Sequence, residues 1–349
     1  MALLNRLTFD FLIDTINPCD SASHGKFVNA KILNKSTVDQ KYKPHFYVVD
    51  KESTLYIVTR STSSKEDWLT NFEATEVQCQ FGSTTTRCHK GFYRSAQYVY
   101  NISKDYMSNY TGKIVITGHS LGGAITSIVT HMALTDPDLA DKDIIGIAYA
   151  PPPAMEYVPP NIRSKLAAFM NSDDIVPRLS YPNILATYYD QISIGGSEFL
   201  SKIKNDFPML SFLTTNMKQK LNTTVYQYYL NRDLFHVHYP WGTLFHLKGL
   251  YQTLNDTQID PVSIDRLEIS DNATLDHYLS KYQENIEILF KDKPNEQSKG
   301  KDKDLTITLS ITVPIIILLL VIVIVLLVLL ISRNRKIENI EKELITSDV

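Results

Sequence analysis

Gly118-His119-Ser120-Leu121-Gly122 follows the apolar run Ile114 to Thr117 and precedes a segment rich in Ala, Ile and Thr. A serine spaced this way between glycines, at a strand-to-helix junction, is the pattern of a nucleophile elbow, where side chains at the flanks would collide with neighbouring elements. Ser120 would stand exposed at the tip of that turn. A hydroxyl is a weak nucleophile until a histidine takes its proton and a carboxylate holds that histidine in the right tautomer. On a scaffold with such an elbow the partners follow in the order serine, acid, histidine. The acid candidates are Asp173 and Asp174, where the apolar run in AAFMN ends and Ile-Val-Pro-Arg-Leu follows. A carboxylate at the carboxyl end of a strand is where an α/β sheet places functional groups. The histidines downstream are His236, His238, His246 and His277, and spacing does not choose among them. His119 adjoins Ser120, but adjacent side chains on a turn diverge, so it is expected to pack and hydrogen-bond. Trp68 and His89 are read as structural, and Arg178 as pairing locally with a carboxylate.

The elements that must position these groups are legible in the hydrophobic pattern. Short apolar or alternating runs occur at Phe46 to Val49, Leu55 to Thr59, Ile114 to Thr117 and Ile144 to Ala148, each bounded by polar or turn residues. Phe92 to Tyr106 and Leu121 to Leu134 carry helical spacing between them. This alternation predicts an α/β fold with a mostly parallel sheet flanked by helices.

Of the 349 residues, 44% are hydrophobic and 21% charged, in the range of a packed globular protein. With 35 Lys and Arg against 38 Asp and Glu, no bulk field exists to attract nucleic acid, and no nucleic-acid partner is expected. Three cysteines, Cys19, Cys79 and Cys88, exclude a disulfide framework and match no zinc spacing. Cys79 and Cys88 flank a turn-rich stretch that could be a hairpin, which leaves both a bridge and two half-buried thiols open.

Near the end, Ile315 to Ile331 is an unbroken run of Ile, Leu and Val, and the uncharged stretch begins at Leu305. At ~1.5 Å per residue, 305–331 spans roughly 40 Å, enough to cross a hydrocarbon core of about 30 Å with some tilt. Each apolar residue favours insertion by roughly 0.3 to 0.6 kcal/mol, so one C-terminal transmembrane helix is expected, with the bilayer as a partner. Pro314 lies near its start, where a helix tolerates it. Residues 291–304 alternate in charge and read as a flexible tether, and 332–349 as a short tail. Residues 1–290 remain as one catalytic domain.

LYIVTRSTSSKEDWLTNF, CHKGFYRSA, VITGHSLGGA, AYAPPPA, NSDDIVPRLS and LDHYLSKY stand in this order, and together they give the chain a resemblance to the class 3, or fungal-type, lipases over about Tyr47 to Tyr282. LYIVTRSTSSKEDWLTNF resembles the family's strand and oxyanion loop, CHKGFYRSA its His-x-Gly-Phe segment, and VITGHSLGGA its elbow. AYAPPPA followed by NSDDIVPRLS is especially similar to the sn-1-specific diacylglycerol lipase branch. LDHYLSKY resembles the segment that bears the catalytic histidine. The resemblance implies an α/β-hydrolase with Ser120 as nucleophile, Asp174 as acid and His277 as general base. Asp174 is preferred to Asp173 because the family acid immediately precedes the Ile-Val-Pro. The resemblance also implies an oxyanion hole from Thr62 and the backbone N–H of Leu121. The family usually has Gly where this chain has Ser61. If that Gly serves a positive φ, the oxyanion loop here is strained or displaced.

The expected function is that of a serine lipase cleaving ester bonds of di- or triacylglycerol through an acyl-enzyme. Alternatives on the same fold are a phospholipase A1 or acyltransferase, and a catalytically inactive lipid-binding module. No metal or organic cofactor is called for, since side chains and water complete the mechanism, and no protein partner is inferable. The long stretch between Asp174 and His277 has a middle part, Ser197 to Phe235, that reads either as an amphipathic lid or as a helical insertion packed on the sheet. Orientation draws conflicting cues. MALLNRLTFDFLI, interrupted by Arg6 and Asp10, makes a poor signal peptide, which points to a tail-anchored protein with a cytosolic domain. Against this stand sequons at Asn34, Asn101, Asn109, Asn222, Asn255 and Asn272, and the possible bridge. Lys299, Lys301 and Lys303 precede the span, and the closer cluster Arg333, Arg335 and Lys336 follows it. The first residues also read as part of the catalytic domain, which leaves room for a signal upstream. The expectation adopted is a lumenal or extracellular hydrolase with a cytoplasmic tail.

Overall fold

The computed structural model describes residues 9–62, 76–179, 242–247 and 275–291, all within one compact unit. The tether from residue 292 on, the apolar run 305–331, the tail, Trp68 and the insertion Ser197 to Phe235 lie outside the described residues, as do His236, His238 and three of the sequons, Asn222, Asn255 and Asn272. Among the described residues no helix is long and apolar enough to cross a membrane.

Strands β1 (Lys31–Ser36), β2 (Phe46–Lys51), β3 (Thr54–Thr59), β6 (Lys113–His119), β7 (Ile144–Tyr149), β8 (Leu166–Asn171) and β9 (Thr243–Leu247) form one sheet in that order. From β3 to β9 every pair is parallel, while β1, β2 and β3 form an antiparallel margin. The sheet is thus mostly parallel. Its central strands β7 and β8 are buried at every position, as strands covered on both faces must be. Strands β4 (Glu76–Phe81) and β5 (Thr84–His89) make a separate hairpin. The Cys79–Cys88 disulfide joins its two strands, and Cys19 is a free, buried thiol.

Alternation along the strands divides the core into two layers. Phe46, Val48, Leu55, Ile57, Ile114 and Ile116 face helices α2 (Lys90–Ser108) and α3 (Leu121–Thr135). Tyr47, Val49, Tyr56, Val58, Val115 and Ile147 pack with residues of α1 (Phe9–His24) and α5 (Leu279–Lys291). A short helix α4 (Pro160–Arg163) leads into β8. Burial of this kind stabilises by roughly 25 cal/mol per Å² of apolar surface, so each pleat residue has a preferred face and the strand register follows from it. The result is a three-layer α/β-hydrolase arrangement with the sheet's carboxyl edge left to carry a site.

Candidate active site

The strand β6 ends at His119 and α3 begins at Leu121, so Ser120 alone makes the turn. It does so at φ 58° and ψ −121°, a left-handed conformation that costs a residue with a Cβ on the order of 1 to 3 kcal/mol. Two hydrogen bonds hold it there: its N–H donates to the Tyr149 carbonyl at 2.9 Å, and its own carbonyl accepts from the Ala124 N–H at 3.1 Å. The glycines of the motif make room for this. A Cβ on Gly118 would stand 2.5 Å from the Gly122 carbonyl and 2.8 Å from the Thr59 carbonyl, and one on Gly122 would strike Thr59 and Arg60 backbone. Helix α3 therefore starts directly against the end of β3.

Ala150 and Ser172 repeat the device, with φ 48° and 36° at the ends of β7 and β8. Beyond β8 the chain turns back through Asp174, whose N–H donates to the Asn171 carbonyl at 2.8 Å. Asp174 is fully buried. Its Oδ1 accepts from the Val176 N–H at 2.9 Å, and its Oδ2 accepts from the Tyr282 hydroxyl at 2.5 Å. Tyr282 lies on α5, and its oxygen accepts in turn from the Asn171 N–H at 3.0 Å. Burial first, and then the neighbouring Asp174 charge, push the Tyr282 phenol well above the ordinary range, so it remains a donor to the carboxylate.

His277 ends a single 3-10 turn, Leu275–His277, just before α5. Its Nδ1 is 3.1 Å from both Asp174 oxygens, and its Nε2 is 3.0 Å from Ser120 Oγ. A carboxylate can only accept, so Nδ1 carries the proton and Nε2 is left to accept from the serine. Asn171 steadies the turn, donating from Nδ2 to the Asp276 carbonyl at 3.0 Å and accepting at Oδ1 from Asn285 of α5. The Asp276 side chain accepts from the Asp173 N–H at 3.1 Å. Its carboxyl is raised, by burial before any other cause, and the nearby Asp173 and Asp174 charges add to the shift. Asp173 itself thus serves the turn through its backbone while Asp174 faces the imidazole.

His119 packs and bonds. Its Nε2 lies 2.7 Å from the His277 carbonyl and its Nδ1 2.7 Å from Ser61 Oγ. Burial, then the neighbouring His277, lowers it to about 3, so it is neutral. Ser61 is not among the residues with positive φ, so the condition under which a serine there would strain the loop is not met. Thr62 follows it on the half-buried loop after β3, and Leu121 is the buried first residue of α3. An N–H in the first turn of a helix lacks an intrahelical acceptor, and that of Leu121 is one such donor beside Ser120. His89 caps α2, accepting from the Phe92 N–H at 3.3 Å, and His246 makes a 2.7 Å bond to the Ser172 carbonyl. Arg178 is buried in the turn after Asp174. Tyr282 and Asn171 are the site residues that sequence reasoning missed. The tyrosine was in plain view in LDHYLSKY, five residues after the histidine, but nothing in its spacing says that it reaches the acid. No cluster among the described residues could hold a metal ion.

The sequence pattern of lipase (class 3) matches residues 56–184, a segment with most of β3, the elbow and Asp174 but not His277. No curated protein matches the chain. Among solved structures it is similar to a triacylglycerol lipase from Penicillium expansum, at 17% identity over 49% of this chain and 72% of that one, with a TM-score of 0.41. It is also similar to the Rhizomucor miehei triacylglyceride lipase, at 25% identity over 51% and 74% and a TM-score of 0.38. A lipase from Rhizopus microsporus var. chinensis stands at 20% identity over 51% and 69%, with a TM-score of 0.39.

Proposed function

With residues 56–184 similar to the class 3 lipases, we propose that this chain is a serine hydrolase that cleaves carboxylic esters of glycerolipids, di- or triacylglycerol foremost. The observation that carries the reading is the continuous chain of contacts from Ser120 Oγ to His277 Nε2, at 3.0 Å, and from His277 Nδ1 to Asp174, at 3.1 Å, with the serine on a strained elbow. Ser120 Oγ attacks the ester carbonyl while His277 Nε2 takes its proton. The imidazolium formed is stabilised by Asp174, and the oxyanion by the N–H groups of Thr62 and Leu121. His277 then protonates the leaving alkoxide, which departs as the glyceride alcohol. Water, deprotonated by the same nitrogen, releases the fatty acid and restores the serine. Losing one oxyanion donor of this kind typically costs about 3 kcal/mol of barrier.

In this reading the apolar run 305–331 anchors the chain in a bilayer, which raises the local concentration of lipid ester. The Cys79–Cys88 disulfide and the exposure of Asn101 and Asn109 support an orientation towards the lumen or exterior. The direct test is labelling with a fluorophosphonate, followed by side-by-side assays on diacylglycerol, triacylglycerol, phospholipid and a short p-nitrophenyl ester. Wild type should label and prefer long-chain glycerides, and Ser120→Ala should do neither. Ser120→Ala, Asp174→Asn and His277→Ala should each lower kcat by several orders of magnitude, with double variants little worse than singles. Near-wild-type turnover by His277→Ala would move the base elsewhere. Glycosidase treatment of the native membrane protein should increase its gel mobility, and an unchanged band would overturn the orientation.

A further inference from the structure

His119 is spent on no step of the reaction above, yet it is one of the best-connected side chains at the site. It is 8% exposed. Its ring lies 4.8 Å from that of His277 and meets Tyr282 edge-on at 5.8 Å. The base and the tyrosine that holds the acid are therefore both packed against it. Its two nitrogens have fixed roles. The His277 carbonyl can only accept, so Nε2 carries the proton and donates at 2.7 Å. In the neutral ring Nδ1 must then accept, and Ser61 Oγ donates to it at 2.7 Å. The same hydroxyl also reaches the His119 carbonyl at 3.0 Å, but it has one proton, and the ring nitrogen is the nearer acceptor. Ser61 directly precedes Thr62.

We infer that His119, oriented by Ser61, is a positioning residue that ties the loop of Thr62, the elbow of Ser120 and the turn of His277 into one unit. The inference rests on the triad reading given above. Its physical basis is that His277 sits on a single 3-10 turn, which Asn171 holds at the Asp276 carbonyl and His119 at the next carbonyl along. The donation from His119 fixes the carbonyl of the base itself, so the Nε2 to Oγ distance depends on it. A neutral donor serves this purpose without placing a second positive charge beside the imidazolium that forms in the reaction.

Two substitutions separate the two nitrogens. In His119→Gln the amide nitrogen falls near the position of Nε2 and keeps a donor for the His277 carbonyl. In His119→Asn the side chain stops near Nδ1, so it can still accept from Ser61 but cannot reach His277. With a long-chain p-nitrophenyl ester, His119→Asn and His119→Ala should lose on the order of 10- to 100-fold in kcat with little change in KM, the scale expected of a misplaced reacting group. Fluorophosphonate labelling should slow in parallel, and His119→Gln should recover both to within about threefold of wild type on the same argument. A residue that merely supports the fold would lower the fraction of active protein and the melting temperature instead, without sorting Gln from Asn. Should the His119 variants fail to fold, Ser61→Ala and Ser61→Thr carry the test, the first slowing kcat and the second restoring it through its hydroxyl. Equal rates for Gln, Asn and Ala, or for the two Ser61 variants, would overturn the inference while leaving the triad intact. Retained labelling of Ser120→Ala would instead overturn the triad reading itself.

Discussion

Gly118→Ala is a substitution for which two physical effects predict opposite signs. Gly118 lies within β6 and needs no left-handed φ, so intrinsic preference alone predicts that Ala stabilises by about 0.5 to 1 kcal/mol. The packing predicts the reverse. The new methyl would stand 2.5 Å from the Gly122 carbonyl carbon and oxygen and 2.8 Å from the Thr59 carbonyl, all of them backbone with no side chain to swing aside. Restoring ordinary contact requires the first turn of α3 to withdraw from β6 and β3 by about 1 Å, and overpacking of this kind costs typically 1 to 3 kcal/mol. The clash therefore wins by roughly 1 kcal/mol. The larger consequence is for rate, because that turn carries Ser120 and the N–H of Leu121, and a 1 Å displacement of reacting groups costs about 100-fold. Urea denaturation and kcat on a long-chain ester, measured on the same preparation, check both parts. An Ala variant with wild-type kcat and a higher midpoint would refute the close approach on which the elbow argument depends.

Two further perturbations act on stability. His119 and His131 are both held neutral by burial, lowered from 6.5 to about 3 and about 4, so the unfolded chain binds protons that the fold refuses. Their contribution is present above pH 6.5 and lost as pH falls through the window below it, about 2 kcal/mol for each between pH 7 and pH 5; urea midpoints at the two values check this, His131→Phe should remove about half of the fall, and equal midpoints would refute it. Reduction of Cys79–Cys88, with a separation of 9 residues, should cost about 2 to 3 kcal/mol in the loop-entropy account, seen as a lower melting temperature with dithiothreitol that Cys79→Ala/Cys88→Ala reproduces; an unchanged melting temperature would count against it.

The residues that could be read from sequence are those whose neighbours are local. The runs at Phe46 to Val49, Leu55 to Thr59, Ile114 to Thr117 and Ile144 to Ala148 all fall inside strands, because burial on both faces leaves an apolar trace in the chain. The helices after His89 and Ser120 begin near where the apolar spacing starts. Helix α1 was not legible, since Asp10, Asp14, Pro18 and Asp20 break its pattern and only packing against the sheet and α5 settles it. Choosing His277 over His246 was beyond spacing for the same reason. Both approach β8 from a distant part of the chain, and only the fold says that one meets Asp174 and the other the Ser172 carbonyl. At Ser61 the condition for backbone strain, a positive φ, is not met, and the local rule about glycine says nothing of a hydroxyl that finds a buried imidazole.

The placement of the base just before the domain's last described helix has a consequence in time. Ser120 and Asp174 leave the ribosome long before His277, and α5, which packs with α1 in one apolar cluster, emerges later still. Until α5 closes on α1, Ser120 lacks the contact with His277 on which the proposed reaction depends. In the proposed reading the growing chain is thus chemically silent until these two distant segments have met.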